Sequence, residues 1–368
     1  MTPFAFIVHP IDARRDVARK YPLAKYVPES AVEWFLKHKR PMVLSEIKGV
    51  RSVDGKETSG WFIGCPLTPK MMLELPLELV YDRIVECCVM AEKLGARIIG
   101  LGAFTAVVGD GGITIAKRSP IAVTTGNSYT VATAIDGTLE AAQLMDIEPS
   151  VSTLAVVGAT GSIGRTCAQV LAPSFVRTIL IGRDKARTEE AAALVGHGAE
   201  VSTGVAAISS ADVVITVTSA EGEVIQPEHL KIGAVVCDVA RPRDVSIRVS
   251  KERDDVLVIE GGVVAVPGDV DFGMSFGFPE KTAYACMSET MMLALENRPE
   301  SFTLGKDVTV EQVQETRDMA KKLGFCLAGF RSFEKAVSPE TIERVKKAAN
   351  RKRALTASPH PSVTPQTP

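Results

Sequence analysis

A chain of 368 residues is about twice the ~150 residues of a typical domain, so two domains or one elaborated domain is expected. Apolar residues make up 46% and charged residues 23%, which excludes general disorder. Forty-two Lys and Arg against 44 Asp and Glu leave a net charge of −2, without the basic excess of a nucleic-acid binder.

The seven cysteines stand at 65, 87, 88, 167, 237, 286 and 326. An odd number without paired CxxC spacing fits neither a disulfide framework nor a zinc site, so no metal is expected. The apolar run from Phe4 to Val8 meets His9 and Pro10 and is too short for a signal peptide. No stretch reaches the ~18 uncharged apolar residues of a membrane span. The sequence therefore reads as a reduced, soluble, cytoplasmic protein.

The first 126 residues alternate strand-like and helix-like segments and predict an α/β domain. Residues 4–8 form a strand and 28–37 an amphipathic helix with Val32, Phe35 and Leu36 apolar. Two strands, 42–50 and 60–65, flank Asp54 and Gly55, a dipeptide suited to a hairpin turn. A helix over 77–94 stops at Gly95, and 97–101 is a buried strand. Residues 127–150 form a connecting helix capped by Asn127 and broken by Pro149.

Residues 151–275 change character. The runs 153–157, 178–181, 213–217, 234–239 and 256–259 are rich in Val and Ile, as strands buried on both faces of a parallel sheet require. Helix-like segments separate them, so repeated βα units and a Rossmann-type sheet are expected. Helices over 279–297, 309–323 and 339–352 follow, making 276–356 a C-terminal helical segment. Residues 357–368 hold four prolines with Ser and Thr and read as a disordered tail.

The glycine loop is the clearest chemical signal. Gly158, Thr160, Gly161, Ser162, Ile163 and Gly164 follow a buried strand and open a helix, the setting of a dinucleotide loop. The spacing is GxxGxxG, a variant common among NADP-dependent folds. Such a loop turns sharply, brings backbone N–H groups to the pyrophosphate and aims a helix N-terminus at its charge. The next strand ends in Gly182 where an NAD enzyme usually carries an acid, and Arg183 follows. A guanidinium binds a 2′-phosphate that an acid would repel, so Arg183, with Lys185 and Arg187 as helpers, points to NADPH. Asp184 remains a candidate ribose contact. Thr218 and Ser219, past the strand 213–217, and Gly261 and Gly262, past 256–259, complete the candidate cofactor-binding set.

Cys286 lies among Ala, Met and Leu, and from composition alone it reads as a packed core residue. On helical spacing it shares a face with Glu289 and Leu293. Four segments change that reading: 158–164, Gly102 to Ala106, Thr124 to Asn127, and Tyr284 to Cys286. Together they resemble the cyanobacterial long-chain acyl-[acyl carrier protein] reductase family, in order and over residues 4 to about 330.

The resemblance implies an NADPH-dependent reduction of a long-chain acyl thioester, on acyl carrier protein or CoA, to a fatty aldehyde. It further implies that Cys286 takes the acyl group as a thioester, and that Glu289 matches an acid without an assigned role. An aldehyde-consuming enzyme would be a downstream partner. Such chemistry needs oxyanion donors, for which the N–H groups of Gly261 and Gly262 are candidates, and an apolar wall, for which Trp61, Phe62 and Phe104 are candidates. Four features depart from the family pattern. Tyr129 stands where members carry histidine, and the glycine-rich strand after Glu260 runs into Val266 and Pro267. The run Cys237 to Asp244 resembles glutamyl-tRNA reductases, and the chain extends past Phe330.

Two other enzyme readings stay open on the residues. In a shikimate-type dehydrogenase hydride transfer is direct, and the segment from Cys65 to Lys70 resembles that family's lysine motif, although its partner aspartate is absent. A glutamyl-tRNA-reductase-like enzyme would carry an N-terminal nucleophile, but Cys65, Cys87 and Cys88 lack the expected neighbours. A non-catalytic NADP-binding sensor is a third class. The basic run Arg344, Lys346, Lys347, Arg351, Lys352 and Arg353 could dock an acidic carrier protein or simply be a solvated helix face.

Overall fold

The computed structural model describes residues 1–357 other than 21, 221, 241, 276, 278 and 306. The tail expected from 357 onward thus lies, from 358, outside the described residues. Two compact units divide the chain: Met1–Gly137 with Gly161–Val170 and Gly261–Gly329, and Thr138–Thr160 with Leu171–Glu260 and Phe330–Pro368.

The first unit is built on a mixed six-stranded sheet. In chain order its strands are β1 (Phe4–Val8), β2 (Met42–Arg51), β3 (Glu57–Gly64), β4 (Ile98–Gly100) and β5 (Ala122–Thr124). β1 pairs in parallel with both β3 and β4, so both of its edges are covered, and four of its five residues are buried. The expected hairpin joins β2 and β3 antiparallel, with Gly55 at φ +86° in the turn. Against one face packs the helix Leu77–Lys93, whose Val80, Tyr81, Ile84, Cys87, Cys88 and Ala91 are buried at helical spacing. Gly95, at φ +96°, follows it as expected.

The second unit carries an all-parallel sheet of β6 (Thr153–Val157), β7 (Arg177–Ile181), β8 (Glu200–Ser202), β9 (Val213–Thr216), β10 (Val235–Asp238) and β11 (Leu257–Glu260). Its spatial order is β8-β7-β6-β9-β10-β11, with every neighbour parallel. Numbered from β6, this is 3-2-1-4-5-6, the order of dinucleotide-binding sheets. The order reverses between β6 and β9, the point at which sheets of this kind take their ligands, beyond the carboxyl ends of the strands. All residues of β9, β10 and β11 are buried, which explains their unbroken runs of Val and Ile.

Residues 261–329 contribute further strands to the first unit. β12 (Val263–Ala265) pairs antiparallel with β14 (Thr282–Tyr284) and β15 (Cys326–Leu327), while β13 (Gly268–Asp271) adds to the edge of β2. The helix expected over 279–297 therefore begins only at Ala285 and ends at Leu295. Lys281 takes a left-handed φ of +58°, and the next three residues pair with β12 rather than coil. Strand pairing overrides helical composition there, and Cys286 moves to the first turn of its helix. Ten of the helix's eleven residues are buried. Gly100 on β4 admits it, since a Cβ at that position would overlap the Thr290 hydroxyl.

Candidate functional site

Cys286 is half-buried, in contrast to the buried Cys65, Cys87, Cys88, Cys167 and Cys237. Burial pushes its thiol up to about 12, and the nearby Glu289 carboxylate adds to the shift. The backbone N–H groups of Met287, Cys286 and Ala103 act against that shift. Two of them belong to the helix's first turn, where N–H groups have no partner within the helix. The third comes from a different segment, the turn Ala103–Ala106, where Ala103 adopts φ +45°.

Glu289, one turn along, is fully buried. Its Oε1 accepts from the hydroxyls of Thr124 (2.5 Å) and Thr303 (3.0 Å), and its Oε2 from the hydroxyl of Ser128 (2.6 Å) and the N–H of Tyr129 (3.0 Å). Four donors fill the four acceptor directions of a carboxylate, so Glu289 is committed to holding these segments together. Gly126 lies at φ +74°, and a Cβ there would overlap the backbone of Cys286. The segments Thr124 to Asn127 and Tyr284 to Cys286, far apart in sequence, thus meet at Cys286. Gly262 sits beside them: its carbonyl accepts from the N–H of Ala285 at 2.7 Å, and its φ is +82°.

The proposed aromatic wall does not form as one surface. Trp61 and Phe104 belong to the core packed under the helix Leu77–Lys93. Phe62, next along β3, points to the opposite face, where its ring lies 6.5 Å from Phe6 and 6.0 Å from Phe272.

In the second unit the loop after β6 has the expected form. Gly158 lies at φ +83°, and a Cβ there would stand 2.5 Å from the Val217 carbonyl. The chain then enters the helix Ser162–Leu171, completing strand, turn and helix. The loop after β9 is held by Asp244, which is fully buried. It accepts from the hydroxyl of Thr216 (2.6 Å) and from the N–H (2.8 Å) and hydroxyl (2.5 Å) of Thr218. Asp238 in turn accepts the N–H groups of Ala240 (3.1 Å) and Val245 (3.0 Å). Ser219, beyond Thr218, is exposed.

Gly182 closes β7 against Thr188 and Thr160, whose atoms leave no space for a side chain. Arg183 is exposed and forms no ion pair among the described residues, so its guanidinium is available to a ligand. Lys185 pairs weakly with Glu189 at 3.6 Å. The candidate ribose contact Asp184 is instead the N-cap of Lys185–Val195, accepting from the Arg187 N–H at 3.1 Å.

The basic run is largely committed within the second unit. Lys346 pairs with Asp146 at 2.7 Å, and Lys352 with Asp254 and Asp255 at 2.5 and 2.6 Å. Lys70 is exposed and pairs with Glu33 at 3.1 Å. Sequence reasoning missed Ala103, Thr124, Ser128, Thr303, Asp238 and Asp244 as parts of these sites. The run Cys237 to Asp244 was the available signal for the last two.

Residues 140–260 match the Shikimate / quinate 5-dehydrogenase family. That stretch is an NAD(P)-binding domain of the oxidoreductase kind. The chain is 29% identical, over 94% of its length, to "Aminotransferase PigE" of Serratia sp. (strain ATCC 39006), and it spans 42% of that protein's length. It is 27% identical to the "Long-chain acyl-[acyl-carrier-protein] reductase" of Synechococcus elongatus, covering 86% of this chain and 95% of the relative. Among solved structures, L-tryptophan dehydrogenase from Nostoc punctiforme is similar at a TM-score of 0.43 and 11% identity, over 95% of this chain and 89% of that one. Glutamyl-tRNA reductase from Methanopyrus kandleri is similar at 0.30 and 17%, over 78% and 58%. Among the described residues no helix is long and apolar enough to cross a membrane.

Proposed function

We propose that this protein reduces a long-chain acyl thioester, carried on acyl carrier protein or CoA, to an aldehyde through an acyl-Cys286 intermediate. The observation behind the reading is the placement of Cys286: a half-buried sulfur on a first helical turn, with the Gly126 backbone packed against it. The cited likeness to a long-chain acyl-[acyl-carrier-protein] reductase supports it.

The residues at the carboxyl ends of β6, β7 and β9 suit NADPH. Gly158, Thr160, Gly161, Ser162, Ile163 and Gly164 would hold the pyrophosphate, with Thr218 and Ser219 beside it. Arg183, helped by Lys185, would take the 2′-phosphate, and the blocked position at Gly182 excludes an acid. Bound NADPH would supply the hydride that reduces the acyl carbon.

The chain's own residues carry the rest. The Cys286 sulfur attacks the thioester carbonyl, the C–S bond to the carrier breaks, and the carrier thiol leaves with the proton that Cys286 loses. After reduction the C–S bond to Cys286 breaks, the aldehyde departs, and the sulfur leaves as thiolate. The amides of Ala103, Cys286 and Met287 favour that thiolate at both moments. With its thiol held near 12, Cys286 is protonated at rest. A resting thiol is protected from stray electrophiles until substrate binds. The aldehyde product is reactive, so an enzyme that consumes it would be the natural partner.

The test is incubation with palmitoyl thioester in the absence of NADPH, followed by intact mass and peptide mapping. An acyl adduct on Cys286 is expected, with none on a Cys286→Ala variant and no turnover by it. Turnover retained by Cys286→Ala would overturn the reading. It would favour the second one, a direct hydride transfer to a small keto acid, for which the family match over 140–260 is the supporting observation. Loss of turnover in Lys70→Ala alone would then be expected.

A further inference from the structure

We propose that residues 11–40, in the first unit, form a surface that docks on an anionic lipid bilayer. Their charge sets them apart: eight Lys and Arg against four Asp and Glu give +4, in a chain whose total is −2. Three short elements make up the stretch: the helix Ala13–Lys20, the 3₁₀ helix Pro22–Tyr26 and the helix Glu29–His38. The first packs against both of the others, so the three form one cluster.

Among the described residues the exposed aromatic rings are Tyr26, Trp34 and Phe35, and all three belong to this cluster. In the helix Glu29–His38, Val32 and Leu36 stand one turn apart and are buried in the core. Trp34, midway between them, therefore points outward and is 66% exposed. Leu23 and Tyr26, three apart in a 3₁₀ helix, share a side and are 77% and 76% exposed, while Ala24 is buried. Each ring has a basic neighbour. The Lys25 ammonium lies 4.8 Å from the centre of the Tyr26 ring, and that of Lys39 lies 5.0 Å from the Phe35 ring. The His38 ring lies 4.7 Å from Trp34.

Three of the four acids in the stretch are already engaged. Glu33 pairs with Lys70 at 3.1 Å, Asp16 accepts the N–H groups of Ile11 (2.8 Å) and Asp12 (3.0 Å), and Asp12 accepts that of Arg15 (2.6 Å). Arg14, Lys25, Lys37 and Arg40 are exposed and form no ion pair among the described residues. Apolar rings beside unpaired cations match the layers of a bilayer surface, where a plane of phosphates covers acyl chains. Trp and Tyr favour that boundary, and long basic side chains reach its anionic headgroups. Side chains standing this far into solvent suit a fluid surface, which moulds to them, better than a rigid partner that needs a matching recess. At ten residues the helix Glu29–His38 is too short to span a bilayer, so the contact is with one leaflet.

The experiment is cosedimentation of the full chain with vesicles of phosphatidylglycerol and phosphatidylcholine in equal parts, and with phosphatidylcholine alone. The anionic vesicles should bind it, the neutral ones much less, and added salt should weaken the binding. Trp34→Ser should lower the partition about tenfold, and Lys25→Ala or Arg40→Ala about fivefold each, the effect of one cation near such a surface. Thermal melting accompanies each variant, and if Trp34→Ser does not fold, Tyr26→Ser should show the same loss. No sedimentation with anionic vesicles at low salt overturns the proposal. So does parent-like binding by a folded Trp34→Ser or Tyr26→Ser, or equal binding to the two kinds of vesicle. Without vesicle binding, a Michaelis constant for acyl carrier protein raised by Trp34→Ser would assign the surface to the carrier instead. Self-association lost in Trp34→Ser, again without vesicle binding, would assign it to a second copy of the chain. Vesicle binding does not involve Cys286, so the acyl-adduct experiment stands or fails separately.

Discussion

Glu289 in the first unit and Asp244 in the second are both fully buried, and both direct their oxygens at hydroxyl and amide donors. Their assemblies differ in reach. The donors to Glu289 come from positions 124, 128, 129 and 303, three of them more than 150 residues away in sequence. Those to Asp244 come from 216 and 218, on the neighbouring strand end. The first carboxylate knits together segments that nothing local would join, whereas the second trims a loop that the parallel sheet already places. Removing the first should therefore disturb folding, and removing the second should disturb mainly the loop.

The largest effect is expected from Glu289→Gln. Its amide group faces the Tyr129 N–H with a second donor, leaving a buried N–H unsatisfied at a cost of about 2–3 kcal/mol, read from urea midpoints. Asp244→Asn should cost about 1 kcal/mol, because the Thr216 and Thr218 hydroxyls can rotate, and should show more in the Michaelis constant for the dinucleotide. Equal destabilisation by the two would break the contrast. Next, Arg183→Ala should raise the Michaelis constant for NADPH about 10- to 100-fold and leave that for NADH unchanged, the effect of one charge-assisted contact. A parallel change in both would remove the 2′-phosphate role.

The two units should also fail at opposite ends of the pH scale. In the first, burial holds the thiols of Cys88 and Cys286 at about 12, against an ordinary 9.0. Between these values the folded chain keeps protons that the unfolded chain releases, so stability falls as pH rises above 9. In the second, burial pushes Asp255 up, but Arg253 at 2.8 Å and Lys352 at 2.6 Å outweigh it and hold the carboxyl at about 2. That contribution is complete above 3.8 and is lost as pH falls through 2. Melting temperatures should show Cys88→Ala flattening the alkaline decline and Asp255→Asn the acid one. The smallest effect is expected from reversing Arg344 and Lys347 to Glu: less than about threefold in the Michaelis constant for acyl carrier protein, because exposed charges contribute little.

Legibility in the sequence followed the same divide. The glycine turn and the Val-rich parallel strands announce themselves within a few residues, because strand, turn and helix are local events. The start of the Cys286 helix was misread since Thr282, Ala283 and Tyr284 pair with β12, about twenty residues upstream. The partners of Glu289 and the amide of Ala103 carry no local pattern at all, being hydroxyls and a backbone group that only folding assembles. Asp184 looked like a ligand contact and is a helix cap, a role that Asp fills whenever it precedes a helix.

Gly182 bears on how fixed a nucleotide preference can be. A side chain there would run into the hydroxyl of Thr188, which itself donates to the Asp184 carbonyl at 2.6 Å, and would press on the methyl of Thr160. Acquiring an acid at the strand end would take at least two steps, the first a smaller residue at 188 that sacrifices a hydrogen bond and brings no new binding. Such an ordering would make the proposed preference for NADPH slow to reverse by single substitutions, and any redesign of this strand end has to begin at Thr188.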